Sequence, residues 1–198
     1  MSRIMISNEW WKKSVSLGHI ALDYRDYDNA AVHYHRSFTH IETMYRFRGQ
    51  TGVKFNIDLA LPAMYIISCY NLADTFELSG NQELAQDYTE AAFRIMNIEV
   101  HHGSYCQYHQ QQVLHNYHYT RDRLISYLRC HGLNETAISR HIESISRQTV
   151  LSSSKHSMKT FRECVPSITP YGLSSELKAM REKRQNVLRL VANNSLRP

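Results

Sequence analysis

Two pairs of side chains have the spacing at which a single helix can present two ligands to a metal ion. His115 and His118 lie three residues apart, and so do Cys106 and His109. Imidazole and thiolate both suit zinc, but a zinc site needs three or four ligands that converge on the ion. Because each pair supplies only two, we expect neither a metal site nor another cofactor.

The sequence also lacks the short motifs that accompany common catalytic sites. It contains no glycine-rich phosphate-binding loop, no Gly-x-Ser-x-Gly nucleophile turn and no His-Glu-x-x-His zinc motif. Its carboxylates are mostly spread along helix-compatible segments at spacings typical of solvated positions. These features exclude the enzyme classes that such motifs mark, and we expect a protein without enzymatic activity.

Two segments of the chain share one pattern of small and aromatic residues. Counted from Leu17 and from Leu72, each segment has a small residue at +1, a turn at +8 to +10 and an alanine at +13. A small residue followed by Phe occupies +20 and +21 in both. Small side chains allow two antiparallel helices to approach closely. The positions that would do so are Gly18, Ala30, Ala73 and Ala85. The pattern therefore predicts two helical hairpins.

Turn residues separate the two helices of each predicted hairpin. In the second hairpin Gly80 can adopt the left-handed conformation that ends a helix, and Asn81 can cap the next helix. In the first hairpin, whose turn is residues 25–28, we expect Asp28 to be the cap. A third, degenerate hairpin is predicted from a helix over residues 104–130 and another that begins at Asn134 or Thr136, with a turn at residues 131–132.

The spacer between the first two hairpins is longer than a regular repeat would need. We expect the second helix of the first hairpin to continue to Phe47 and to be broken by the Gly-containing segment 49–52. A second long helix would then begin between Val53 and Leu61, with Pro62 either opening or kinking it.

The shared pattern resembles the tetratricopeptide repeat (TPR), in which antiparallel helix pairs stack into a groove that binds other polypeptides. The resemblance covers residues 14–38 and 69–93, and departs from the family at Ser14, Cys69 and Thr89. Residues 68–74 also resemble a segment of small uncharacterised bacterial repeat proteins. The resemblance implies an all-α fold of two divergent hairpins plus further helices, arranged as a solenoid or an irregular bundle.

By the same resemblance, one face of the first helix in each hairpin would line a groove. The implied groove residues are Val15, His19, Leu22, Asp23, Tyr70, Asp74 and Glu77. The Lys and Asn with which the family grips a C-terminal carboxylate are absent there, so an acidic, aromatic groove would favour a basic or amphipathic segment. The protein's own tail or a third helix could also fill it, and the end of a short array can pair with a second copy of the chain.

Most of the net charge of +5 lies near the C-terminus. Five basic residues there form the predicted basic tail: Lys178, Arg181, Lys183, Arg184 and Arg189. Apolar residues recur among them at helical spacing, which predicts a basic amphipathic helix over residues 174–198. That helix can cover the last hairpin, dock onto a partner protein, or contact nucleic acid or an anionic membrane surface.

The expected domain organisation is a helical domain over residues 1–148, a linker or ordered loop over 149–173, and the tail helix over 174–198. Residues 149–154 are the predicted flexible point. No basic segment followed by an apolar run opens the chain, and no stretch approaches the roughly 18 apolar residues that span a bilayer. The four cysteines are dispersed, as in reduced proteins, so we expect a cytoplasmic protein without a membrane partner.

The predicted function is that of an adaptor or regulator that binds a protein or peptide partner in a helical-repeat groove. The alternative is a nucleic-acid-associated regulator that acts through the basic C-terminal helix.

Overall fold

The computed structural model describes residues 4–48, 53–56, 61–102 and 107–153. Its helices are α1 (Glu9–Asp23), α2 (Tyr27–Phe47), α3 (Leu61–Leu78), α4 (Gln82–His102), α5 (Gln107–Cys130) and α6 (Glu135–Ser153). Two short strands, β1 (Ile4–Ser7) and β2 (Val53–Asn56), pair in parallel, with Ile4 opposite Val53. The all-α fold expected from the sequence is confirmed, and the strand pair is a small addition to it.

The helices form three consecutive hairpins, α1 with α2, α3 with α4, and α5 with α6. Each hairpin packs on the next, because α2 contacts α3 and α4 contacts both α5 and α6. The first hairpin is also fastened to the second by a buried hydrogen bond of 2.8 Å that Trp11 Nε1 donates to Ser68 Oγ. The three predicted hairpins are therefore present.

All three hairpins turn in the same way. The second residue after each first helix has a positive φ, 56° at Arg25, 84° at Gly80 and 85° at Gly132. The next amide in each turn donates back five residues along the chain, as from Asn81 N to Phe76 O at 2.8 Å. This is the closure expected when a left-handed residue ends a helix. Gly80 and Gly132 adopt that conformation without a Cβ penalty.

Asparagine or aspartate caps the second helix of every hairpin. Asn81 Oδ1 accepts from Leu84 N, and Asn134 Oδ1 accepts from Ala137 N. In the first hairpin the cap is Asp26, whose Oδ1 accepts from Asn29 N at 3.3 Å. The prediction that Asp28 is the cap is wrong, because Asp28 already lies in the first turn of α2.

Close helix packing in the first hairpin depends on Gly18. A Cβ atom at this position would overlap the ring of Tyr34 on α2, which is fully buried. In the second hairpin the aromatic side chains of α2, α3 and α4 fill the core. Phe38 lies 5.1 Å from Tyr65 and 5.5 Å from Tyr88 between ring centroids, and Tyr88 stacks on Phe76.

Buried carboxylates hold α4 to its neighbours on both sides. Glu99 accepts a hydrogen bond of 2.6 Å from Arg48, which follows α2. Glu90 accepts from Gln86 and Arg94 on its own helix and pairs with Nε2 of His141 on α6 at 2.8 Å. These hydrogen bonds, with the burial that opposes them, lower the pKa of Glu90 below its ordinary value. Charge therefore fastens the third hairpin to the second.

The second long helix, α3, begins at Leu61, the last residue of the predicted range for its start, and Pro62 lies in its first turn. Residues 53–56 form strand β2. Residues 149–153 are the end of α6, where Thr149 is buried and its hydroxyl donates to Ile145 O at 2.6 Å. The first residues of the predicted linker are therefore helical. The remainder of the predicted linker and the whole basic tail lie outside the described residues.

Candidate functional site

The buried hydroxyl of Tyr34 lies where the first and second hairpins meet. Its ring packs against Gly18, and its hydroxyl shares a hydrogen bond of 2.8 Å with Nδ1 of His19, an exposed residue of α1. His19 therefore lies between the Tyr34 hydroxyl and solvent. The resemblance implied a groove position for His19, and the structure adds Tyr34 beneath it.

Carboxylates from two different helices act on this hydroxyl. Burial is the main reason that the pKa of Tyr34 rises to about 12, and the charges of Asp23 on α1 and Asp74 on α3 raise it further. The charges of two residues that are 51 positions apart in the sequence thus both act on the Tyr34 hydroxyl. We define the groove face by His19, Asp23, Asp74, Glu77, Tyr119 and Arg123.

Arg123 of α5 reaches over the part of the groove face that α3 supplies. Its guanidinium forms an ion pair with Asp74 and lies 3.9 Å from the centroid of the Tyr70 ring. Burial raises the pKa of Asp74, Arg123 lowers it, and the charge of Glu77 raises it again. Asp74 is therefore a half-exposed carboxylate with one cationic partner, still open on its other side.

Tyr70 is covered rather than exposed to a ligand. Arg123 lies on its ring and Tyr119 approaches it edge-on at 5.9 Å, so that Tyr70 is buried. Burial raises its pKa well above the ordinary value. Among the residues that the structure describes, its hydroxyl finds no hydrogen-bond partner. The aromatic side chain that a ligand would meet is Tyr119, which is about half exposed.

The other implied groove residues divide by exposure. Val15 and Leu22 are half-buried, whereas Asp23 and Glu77 are exposed. The surface thus combines free carboxylates with apolar edges and the Tyr119 ring. What the surface offers chemically is a set of hydrogen-bond acceptors for cationic or donor groups.

Sequence reasoning missed Tyr119 and Arg123. Both lie on α5, whose hairpin has Ile125 where the first two hairpins have Gly18 and Ala73, so the small-residue pattern does not extend to it. The signal that could have placed them is the turn glycine. Aligning Gly132 with Gly80 brings α5 into register with α3.

The remaining predicted chemistry is either dispersed or outside the described residues. His115 and His118 are exposed on α5, and within the described residues no group of three His, Cys, Asp or Glu could hold a metal ion. Lys178, Arg181, Lys183, Arg184 and Arg189 lie beyond residue 153. Of the helices in the described part of the chain, none is long and apolar enough to cross a membrane.

Comparison with known proteins finds one family. The model of a family described as "Protein of unknown function (DUF2753)" matches residues 9–159, about three quarters of the chain. The match includes helices α1 to α6 and therefore the whole groove face. No curated protein and no solved structure matches the chain.

Proposed function

We propose that the chain, which belongs to the DUF2753 family of proteins of unknown function, binds a basic or amphipathic segment of another protein on its groove face. The observation that carries the proposal is the half-exposed carboxylate of Asp74 on α3, which is paired with Arg123 of α5 and accompanied on the same helix by the exposed carboxylate of Glu77. Helical hairpins that present such a face from successive first helices are well suited to extended or helical peptides. The resemblance to the TPR supports the same role.

The charge of the groove face favours a cationic ligand. Asp23, Asp74 and Glu77 outnumber the one cation, Arg123, which is already paired with Asp74. A lysine or arginine of the ligand could lie between Asp23 and Asp74, while Tyr119 offers a ring face to a second cation or an apolar side chain. The proposed role is that of a cytoplasmic adaptor or regulator that binds without catalysing a reaction.

The structure shows which substitutions can test this proposal. Tyr70 is unsuitable because it is buried beneath Arg123, and removing Asp74 would leave Arg123 without its ion pair. Asp23 and Glu77 are exposed, so Asp23→Asn and Glu77→Gln remove charge without changing side-chain size or the core. Glu83→Gln, an exposed carboxylate at the start of α4, is the matched control.

Binding can be measured with peptides selected from a random library displayed on phage. We expect the selected peptides to carry Lys or Arg beside apolar residues. In fluorescence anisotropy, the Asp23→Asn/Glu77→Gln double variant should bind them about 5- to 20-fold more weakly, since each exposed charge contributes up to about 1 kcal/mol. Glu83→Gln should bind as the wild type does.

Two results would contradict the proposal. One is a selection that yields no cationic preference, or peptides whose affinity is unchanged in the double variant. The other is binding of a duplex DNA or RNA probe that falls steeply with salt and is lost in Arg184→Ala/Arg189→Ala, which would instead support the nucleic-acid alternative.

A further inference from the structure

The outer side of α1 carries a stripe of exposed apolar residues. Trp10, Leu17, Ile20 and Tyr24 are 68, 36, 51 and 83 % exposed, and they follow one another at spacings of seven, three and four residues. Lys13 completes the stripe and lies 5.6 Å from the centroid of the Trp10 ring. This stripe is distinct from the groove face, because at 100° per residue His19 projects from the opposite flank of the helix and Asp23 lies at the border between the two surfaces, about 60° from Ile20. We call it the α1 stripe.

The central position of the stripe, that of Leu17, is buried on the other two hairpins. Counted back from the positive-φ turn residue, Leu17 corresponds to Leu72 on α3 and to Leu124 on α5, and both are fully buried. Ser68, which corresponds to Lys13, accepts a hydrogen bond from Ser37 of α2. Leu124 packs in one apolar cluster with Phe93 of α4. The stripe on each first helix is thus where the preceding hairpin docks, and α1 has no preceding hairpin among the described residues.

At the opposite end of the described helices, the exposed side of α6 differs in composition from the α1 stripe. Between Glu135 and Thr149 the exposed side chains of α6 are all polar, among them Ser139, Arg140, Glu143 and Ser144. Terminal repeats of helical arrays need such a polar outer face, because an apolar one invites association. The α1 stripe therefore has the composition of an interface.

We propose that the α1 stripe binds the α1 stripe of a second copy of this chain in an antiparallel, two-fold symmetric dimer. Charge selects this occupant. In a parallel pair Lys13 would face the partner's Lys13, whereas in an antiparallel pair it lies beside the partner's Tyr24 and the partner's Asp23. A basic helix such as residues 174–198 would instead bring more positive charge onto Lys13.

The area of the stripe suits such a pair. With Leu17 packed against the partner's Ile20 at the centre, each end places Trp10 and Tyr24 in the interface, and large aromatic side chains bury 150–250 Å² when fully covered. Two copies would bury on the order of 1,000 Å² in total, the lower end of the range for specific association. The dimer is therefore reversible and dissociates on dilution.

Sedimentation of the full chain over a series of concentrations tests the proposal. We expect a monomer–dimer equilibrium whose dissociation constant rises at least about 100-fold in Leu17→Glu and in Ile20→Glu, since the two-fold axis makes each substitution act twice. Ser144→Glu on the polar face of α6 is the control and should leave the equilibrium unchanged. A wild type that stays monomeric at all concentrations, or a dimer that survives both substitutions, would overturn the proposal.

Charge reversal tests the antiparallel arrangement separately. Lys13→Glu and Asp23→Lys should each weaken the dimer about 10-fold, because each places like charges together across the interface. The double variant Lys13→Glu/Asp23→Lys should recover most of the wild-type affinity. No recovery would show that these residues do not face each other, and the proposed pairing would be wrong. Circular dichroism of each variant establishes that the helices are retained.

Discussion

The first and third hairpins share a turn and a topology but differ in how they pack and what they expose. The first hairpin brings α1 onto the ring of Tyr34 through Gly18 and leaves an apolar stripe outside. The third has Ile125 in place of the glycine, buries an aliphatic cluster against Phe93 and exposes only polar side chains on α6 between Glu135 and Thr149. The residues that pack the two helices of a hairpin together occupy different helix positions from the residues on its exposed face. The comparison therefore shows that inner packing and the composition of the exposed face are encoded separately.

The largest effect that we expect comes from the small residue of the first hairpin. Gly18→Val should destabilise the protein by about 3 kcal/mol, since even one Cβ atom at this position overlaps the Tyr34 ring. At the matched position of the third hairpin the opposite change in side-chain size is destabilising, because Ile125 is partly buried against the core and Ile125→Ala removes packing. Urea unfolding followed by circular dichroism measures both. A Gly18→Val variant within 1 kcal/mol of the wild type would show that the hairpin is not held by this close approach.

Most of the fold could be predicted because its signals are local. A small residue, a turn glycine and an Asn or Asp cap specify a hairpin within about 20 residues, and Gly80, Asn81 and Gly132 act in the structure as predicted. The cap of α2 was misplaced because Asp26 and Asp28 are both good capping residues two positions apart. The end of α6 was misjudged because serine and threonine favour loops, whereas here Thr149 bonds the preceding turn and is buried by its neighbours.

The candidate site was less predictable, because a third of it, Tyr119 and Arg123, comes from α5. Asp74 and Tyr70 could be placed on one helix face from their spacing, but nothing near them in the sequence reveals that Arg123, 49 positions away, pairs with one and covers the other. The covering of Tyr70 is a tertiary contact between hairpins. The exposure of the α1 stripe could not be predicted from the sequence either. Its residues have the spacing of buried residues on α3 and α5, and only the structure shows that no described residue covers them.

The next effect concerns the way in which each end hairpin is fastened to the middle one. Glu90→Gln should destabilise the protein by about 2 kcal/mol at pH 7, because the buried carboxylate pairs with Arg94 and with His141 of α6. The first hairpin is held to the second by the neutral hydrogen bond between Trp11 and Ser68 and by the ion pair of Arg48 with Glu99. The control is Glu143→Gln, which removes an exposed pair within α6 and should cause no measurable change.

The same carboxylate predicts how stability depends on pH. Because the pKa of Glu90 is lower in the folded protein than in the unfolded chain, its contribution is present above about pH 4.5 and is lost as the pH falls through the folded value. The difference in unfolding free energy between the wild type and Glu90→Gln should therefore be full at pH 7 and shrink below pH 4.5. A difference that stays constant down to pH 3 would mean that Glu90 is not held as a charged partner of α6.

The smallest effect distinguishes the turns of the two end hairpins. Arg25 is the one non-glycine residue with a positive φ in the described part of the chain, at the position that Gly132 occupies in the third hairpin. A Cβ in this conformation costs about 1–2 kcal/mol, partly offset by the greater entropy that glycine loses on folding. Arg25→Gly should therefore stabilise the protein by about 0.5 kcal/mol.

Gly132→Ala should destabilise the protein by about 1 kcal/mol, and because no atom lies within 4 Å of the added Cβ the whole cost is that of the backbone. Changes in stability of opposite sign, measured by thermal unfolding, would establish that the two turns impose the same backbone geometry and that only the first turn is strained. A destabilised Arg25→Gly would mean that the arginine side chain stabilises the turn by more than its backbone conformation costs.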